Sequence, residues 1–236
     1  MKSILRQLFN YISPSFRFKK NSYSQYGEDI LVKSILQEYF GIDRPSYLDI
    51  GAHHPFHLSN SALLYRFGCR GINIEANPDL IKAFHKYRPM DINLNIGIGT
   101  SESEVLPFYI MEQPELNTFV KQQATDLASK GYPIKRVEQI KCHSLSFIID
   151  HYCKGVFPDF LSLDVEGLDE HILSGYDFKE TRPKLICVEN LQHNEDKGFY
   201  KNNKLRSILE NNNYFLIGDT VLNDIYADAH LLKFSN

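Results

Sequence analysis

A chain of 236 residues with 43% hydrophobic and 23% charged residues has the balance of an ordinary globular protein and can bury one sizeable core. Its net charge of −3 argues against a nucleic-acid partner held through a broad positive face. No apolar run approaches the roughly 18 residues of a membrane-crossing helix, and the four cysteines, with no C-x-x-C pair, read as buried thiols of a reducing, cytoplasmic compartment.

Residues 1–21 read as a basic extension, with Lys2, Arg6, Arg17, Lys19 and Lys20 as its only charges and Ile4, Leu5, Leu8, Phe9 and Ile12 at helical spacing. Such a helix suits peripheral contact with an anionic membrane surface or docking on the domain that follows. It lacks the small-residue cleavage site of a secretory signal. From Gly27 to Phe40 the spacing of Ile30, Leu31, Ile35, Leu36 and Tyr39 predicts a helix stopped at Gly41. Ser24 is positioned to cap it, and Glu28 and Asp29 complement its positive end.

Tyr47-Leu48-Asp49-Ile50 predicts a strand that stops at Gly51, followed by a helix from about 58–60 to Phe67-Gly68. Gly71–Glu75 is a second strand, and Asn77-Pro78 starts the next helix. Strands over 91–97 and 105–110 follow, then residues 111–137, whose Gln113-Pro114 and Gly131-Tyr132-Pro133 suggest an insertion across the open side of a sheet. The rhythm resumes with a strand at 138–142, a helix at 145–152, a strand at 159–163, a helix at 168–174 and a strand at 184–189. A polar loop at 190–199, a helix at 203–210 and strands at 214–217 and 225–234 complete a single domain over 22–236. Alternating β and α segments imply an α/β fold, a mostly parallel sheet with helices on both faces.

Asp49 with Gly51, Glu75, Gly97, Asp164 and Glu189 all stand at carboxyl ends of predicted strands, the rim where open α/β sheets hold ligands. An acid ending the second strand suits a ribose hydroxyl pair. The turn Gly51-Ala52-His53-His54-Pro55 has one glycine and then bulk, unlike the G-x-G-x-x-G loop that cradles a pyrophosphate. That disfavours NAD and favours a nucleoside cofactor without phosphate, such as S-adenosylmethionine, whose cation and diol suit Asp49 and Glu75.

Seven blocks appear in order: Ser24–Asp29, Tyr47–Ala52, Ser59-Asn60, Gly71–Pro78, Asn117–Phe119, Phe160–Gly167 and Arg182–Glu189. Through them the chain resembles the FkbM-type family of S-adenosylmethionine-dependent methyltransferases. The resemblance implies a Rossmann-like class I methyltransferase sheet with an antiparallel last strand. It also implies O-methyl transfer to a hydroxyl of a glycan, a sugar precursor or a secondary metabolite. By the same resemblance Asp49 and Gly51 lie along the methionine and ribose, Glu75 holds the ribose hydroxyls, and Asn77 and Gly97 border the adenine. Gln25, Glu28 and Asn60 sit where the first helix and the post-turn helix close on the cofactor, although helix-start electrostatics also accounts for Glu28. The departure is His53-His54-Pro55, where many members carry a second small residue.

Methyl transfer to an oxygen needs an in-line approach and removal of a proton. Candidates for the base are Asp164, Glu166, Glu189, His193 and the pair His53/His54. Asp164 and Glu189, with Asn190 or His193, read either as a Mg²⁺ site that acidifies the hydroxyl or as a hydrogen-bonded network without an ion. The histidine run matches no standard zinc spacing. Two other functions compete: a non-catalytic cofactor-binding or membrane-docked assembly module, and an NAD-dependent nucleotide-sugar enzyme.

Overall fold

The structure, a computed structural model, describes residues 21–165, 167–194 and 198–232, and for 192–194 the backbone only. The basic segment 1–20, with its membrane-contact and docking readings, and Glu166 lie outside the described residues. A first helix α1 (Glu28–Lys33) runs on into a wider-wound turn, Ser34–Tyr39. The chain then lays down β1 (Tyr47–Ile50), α2 (Ala62–Arg66), β2 (Gly71–Ile74), α3 (Ile81–Tyr87), β3 (Ile92–Leu94) and β4 (Gly97–Ile98). Next come β5 (Glu104–Met111), α4 (Lys121–Ser129), β6 (Ile134–His143), α5 (Leu145–Tyr152), β7 (Phe160–Leu163), α6 (Asp169–Ser174) and β8 (Leu185–Glu189). The chain continues through β9 (Leu191–Asn194), β10 (Gly198–Lys201), α7 (Asn203–Asn211), β11 (Tyr214–Asp219) and β12 (Asn223–Asp228).

Seven strands form one sheet in the order β11-β12-β8-β7-β1-β2-β3. Neighbours from β8 to β3 pair parallel, and β12 runs antiparallel to both β8 and β11. This is the mixed Rossmann-like sheet the sequence implies. Alternation along each strand sorts its side chains to two faces. Leu48, Ile50, Leu161, Leu163, Ile186 and Val188 pack under α5, α6 and α7. Tyr47, Phe160, Leu185 and Cys187 pack against α1 and α2 on the other face.

Several boundaries differ from the sequence reading, and the strand expected at 138–142 begins already at Ile134. The strand expected over 91–97 breaks at Asn95, whose amide donates to the carbonyls of Glu75 and Ala76 at 2.8 and 2.9 Å. Gly97–Ile98 thus joins β6 in a second, three-stranded sheet, β4-β6-β5. The helix expected from about 58 starts at Ala62, because Leu58 has φ 53° and Ser59 is pinned by its N–H to the Tyr23 carbonyl at 2.9 Å. The polar stretch at 190–199 is no loop but the β9–β10 hairpin. A two-stranded hairpin with a face open to water needs no apolar alternation, and Phe199 is 73% exposed. The last strand ends at Asp228, whose carboxylate accepts the His230 N–H at 3.1 Å and starts a turn.

Candidate active site

The parallel order reverses between β1 and β7, so chain segments leaving their carboxyl ends part and open a crevice there. Gly51 makes the floor. It has φ 76°, and a Cβ there would sit 1.7 Å from the Asp164 carbonyl oxygen. Its N–H and that of Ala52 donate to the Ile74 carbonyl at 3.0 Å, and the Asp164 N–H donates to that of Ile50 at 3.0 Å. Three strand ends are thereby locked together under a cavity of about 290 Å³.

Glu75 stands on the wall of this cavity, only 6% exposed. One carboxylate oxygen accepts the His53 N–H at 2.9 Å and the other the Asn77 N–H at 2.6 Å. Burial pushes its carboxyl up to about 7, against the pull of those two N–H groups. Each oxygen keeps a second lone pair for a hydroxyl donor. Beyond it, Leu80, Ile96, Phe108 and Phe119 wall an apolar slot. Gly97 keeps that slot narrow, since a Cβ there would meet the Phe119 ring at 2.5 Å and the Cys142 Sγ at 2.6 Å. A carboxylate for a diol beside a flat apolar slot, with no phosphate cradle, fits the nucleoside half of S-adenosylmethionine.

Gln25, Gly51, His53, Asn60, Glu75, Gly97, Asp164 and Glu189 of the predicted site line this one cavity. Asn60 is held over it by its amide N–H, which reaches Ser162 Oγ at 3.3 Å and Cys187 Sγ at 3.7 Å. His53 has φ 53° and its ring lies 3.7 Å from Glu115, across the cavity mouth. Burial lowers its basicity, and the nearby His54 and His57 add to that while Glu115 opposes it.

Asp164 and Glu189 end adjacent strands, and their carboxyl groups share a hydrogen bond. Asp164 opens to the cavity, but the protein packed around it, then Glu189, Asp169 and Asp49, push its carboxyl well above the usual range. Two carboxyls in contact resist being ionised together, so the pair favours a proton held between them.

Other expected site residues lie elsewhere. Asp49 is 3% exposed and turned beneath the floor, where it accepts the Ser61 hydroxyl and a hydrogen bond from Ser162. Ser61 in turn accepts from Arg88, which is fully buried and also donates to Asp91 at 2.9 Å and to the Tyr47 hydroxyl at 2.8 Å. Glu28, also fully buried, accepts from Thr220 at 2.8 Å, Asn223 at 3.0 Å and the Tyr26 N–H at 2.9 Å. Burial would raise its carboxyl, and these donors outweigh it and lower it. Asn77 spends its side-chain oxygen on the Asp79 N–H at 2.9 Å. His54 accepts the Phe56 N–H at 3.2 Å beside the cavity. The side chain of His193 lies outside the described residues.

The residues at the carboxyl pair do not fit the divalent ion entertained from the sequence. Asn190 donates to Asp224 at 2.5 Å and accepts the Asn202 N–H at 2.8 Å, which turns its amide away from the pair. Among the described residues no three His, Cys, Asp or Glu side chains are grouped to hold a metal. Sequence reasoning did not single out Glu115, Phe108 or the Arg88 network. Asn73, polar in the middle of the buried strand Ile72-Asn73-Ile74, was the available sign of a polar layer, and its amide reaches Asp91 at 3.0 Å.

The family model of the FkbM methyltransferase domain matches residues 49–216. Among solved structures, the chain is similar to the Burkholderia thailandensis 1,6-didemethyltoxoflavin-N1-methyltransferase with bound 1,6-didemethyltoxoflavin and S-adenosylhomocysteine. The identity is 10%, over 96% of this chain and 86% of that one, with a TM-score of 0.41. No curated protein matches. With the match spanning most of the chain and a nucleoside cavity at the switch point of the sheet, this protein belongs to the FkbM methyltransferases and is an S-adenosylmethionine-dependent enzyme.

Proposed function

We propose that the enzyme methylates oxygen, on a hydroxyl of a glycan, a sugar precursor or a secondary metabolite, in the reducing interior of a cell. The observation that carries this is the Asp164–Glu189 pair facing the cavity. A neutral hydroxyl must lose its proton as it becomes an ether, and the ionised member of a carboxyl pair facing the cavity can take it up. S-adenosylmethionine supplies an electrophilic methyl: a carbon–oxygen bond forms as the carbon–sulfur bond breaks, and the sulfonium becomes a thioether. Glu75 and the Phe119 slot would orient the nucleoside end, Gly51 lets the chain leaving β7 close up as the floor of the site, and the pair receives the hydroxyl proton. Positioning of this kind supplies much of the rate. Cys69, Cys142, Cys153 and Cys187, which stand as free thiols, support that compartment.

The test compares cells with and without the protein by mass spectrometry, looking for a product one methylene heavier whose methyl derives from labelled methionine. A new O-methyl ether supports the reading. Label found only on nitrogen, sulfur or carboxylate oxygen would overturn it. EDTA is expected to leave turnover unchanged, and loss of turnover restored by Mg²⁺ would return an ion to the pair.

A further inference from the structure

Between β5 and α4 the chain forms one wall of the nucleoside cavity. Pro114, Glu115, Leu116, Asn117 and Phe119 line it, and Thr118 does not. The backbone is extended at Asn117, with φ −64° and ψ 136°, and Thr118 bridges to Tyr109 of β5. Successive side chains of such a segment point to opposite sides. The Thr118 hydroxyl accordingly turns back to donate to Gln123 of α4 at 2.8 Å, while Asn117 and Phe119 share the cavity side.

The Asn117 amide is only half used. Its Oδ1 accepts the Met111 N–H at 2.9 Å, and that donor fixes which end of the amide is oxygen. The other end, Nδ2, is buried and has no hydrogen-bond partner. Of the atoms in that condition among the described residues, it alone belongs to a residue lining the cavity. A buried donor without an acceptor is costly, and a native fold that keeps one points to a partner from outside the chain. That partner must accept, because an amide nitrogen only donates. It must also be flat, since Gly97 and the Phe119 ring leave a narrow slot beside Asn117. The ring nitrogens of adenine accept in the plane of the base. The turn over Asn117 is exposed at Pro114 and Glu115 and closed by the Leu116 N–H on the Gln113 carbonyl at 3.0 Å and the Asn117 N–H on that of Pro114 at 3.3 Å. It can yield by the small shift that lets a ring nitrogen reach Nδ2.

We propose that Asn117 reads the base of the cofactor: its Nδ2 donates to one ring nitrogen of adenine, edge-on, while Leu80, Ile96, Phe108 and Phe119 hold the faces of the ring. The assignment does not depend on which atom receives the methyl. It divides recognition of the nucleoside between Glu75, which takes the ribose, and Asn117, which takes the base.

The experiment is calorimetry on the full chain with S-adenosylhomocysteine and its 1-deaza, 3-deaza and 7-deaza analogues, each of which puts C–H in place of one ring nitrogen. Wild type is expected to bind one analogue about tenfold more weakly than the parent, the loss of one hydrogen bond to a buried donor, and the other two within about twofold of it. Asn117→Asp keeps an oxygen for the Met111 N–H and puts an acceptor where the donor stood, and Asn117→Ala removes both groups. Each variant is expected to bind the parent about tenfold more weakly than wild type does and to treat the parent and the discriminating analogue alike. Glu75→Ala should weaken all four ligands together and keep the discrimination. Three analogues that all bind wild type as tightly as the parent, or a discrimination that survives in both Asn117 variants, would overturn the assignment while leaving the cofactor in the cavity. If wild type binds none of the four ligands, the nucleoside reading of the cavity fails with it.

Discussion

Glu75 carries a pH dependence that its surroundings dictate. Its carboxyl titrates at about 7 in the folded protein because burial disfavours the anion. Hydroxyl groups of a bound ribose donate to the ionised form, so binding favours deprotonation. S-adenosylhomocysteine affinity should therefore be full at pH 8 and fall as the pH drops through 7, by up to about tenfold per unit below it. Calorimetry at pH 6 and 8 checks this, and Glu75→Ala should bind more than about tenfold more weakly than wild type at pH 8 and lose the trend. In the proposed reaction Asp164 serves the proton transfer instead. Asp164→Asn is expected to lower kcat roughly a hundredfold or more, with S-adenosylhomocysteine affinity near that of wild type. A variant that keeps its rate would remove the pair from the proton transfer.

Between elements, the contact of the Gly51 turn with the end of β7 is the least forgiving. A methyl at Gly51 meets a carbonyl oxygen at 1.7 Å on a backbone with φ 76°, so Gly51→Ala must part β1 from β7 or distort the turn. We expect a loss of about 3 kcal/mol or more in urea denaturation, together with loss of cofactor binding. The Arg88 layer under β1 and β2 is a second such joint. Arg88→Met leaves Asp91 and Asp49 buried without their cation and should cost about 3–5 kcal/mol, read by the same denaturation. These two joints also divide what the sequence reveals. Strands ending in Asp49-Ile50-Gly51, Glu75 and Asp164 were legible because apolar alternation and a glycine mark where a buried strand must turn. Arg88 was not, since an arginine at the end of a surface-patterned helix looks solvated until Tyr47, Ser61 and Asp91 are brought around it from other segments. Asp49 was misplaced for the same reason: its period along β1 sends it to the far face, away from the rim its neighbours line. The β9–β10 hairpin was hidden by its polarity, which read as loop.

At the scale of the whole molecule, the nucleoside cavity draws walls from Gln25 near one end of the described chain to Asn223 near the other. A ligand there stabilises the whole fold by mass action. S-adenosylhomocysteine at a hundred times its Kd should add about 2.7 kcal/mol, which for a domain of this size is a rise in Tm of about 5–10 °C. Scanning fluorimetry tests this, and NAD at the same concentration, expected to leave Tm unchanged, serves as the contrast.

The bond from Thr220 and Asn223 to Glu28 joins residues that lie 192 and 195 positions apart. During synthesis α1 leaves the ribosome before any strand of the seven-stranded sheet, yet the partners that satisfy its buried carboxylate emerge almost two hundred residues later. Until then Glu28 has no donors from β12, and Gln25, three residues before it, has no fixed wall to join. The cofactor site is therefore completed only when the last strands slot in beside β8. A ribosome-arrested chain ending before Thr220 should therefore not retain the cofactor, whereas one extended beyond Asp228 should.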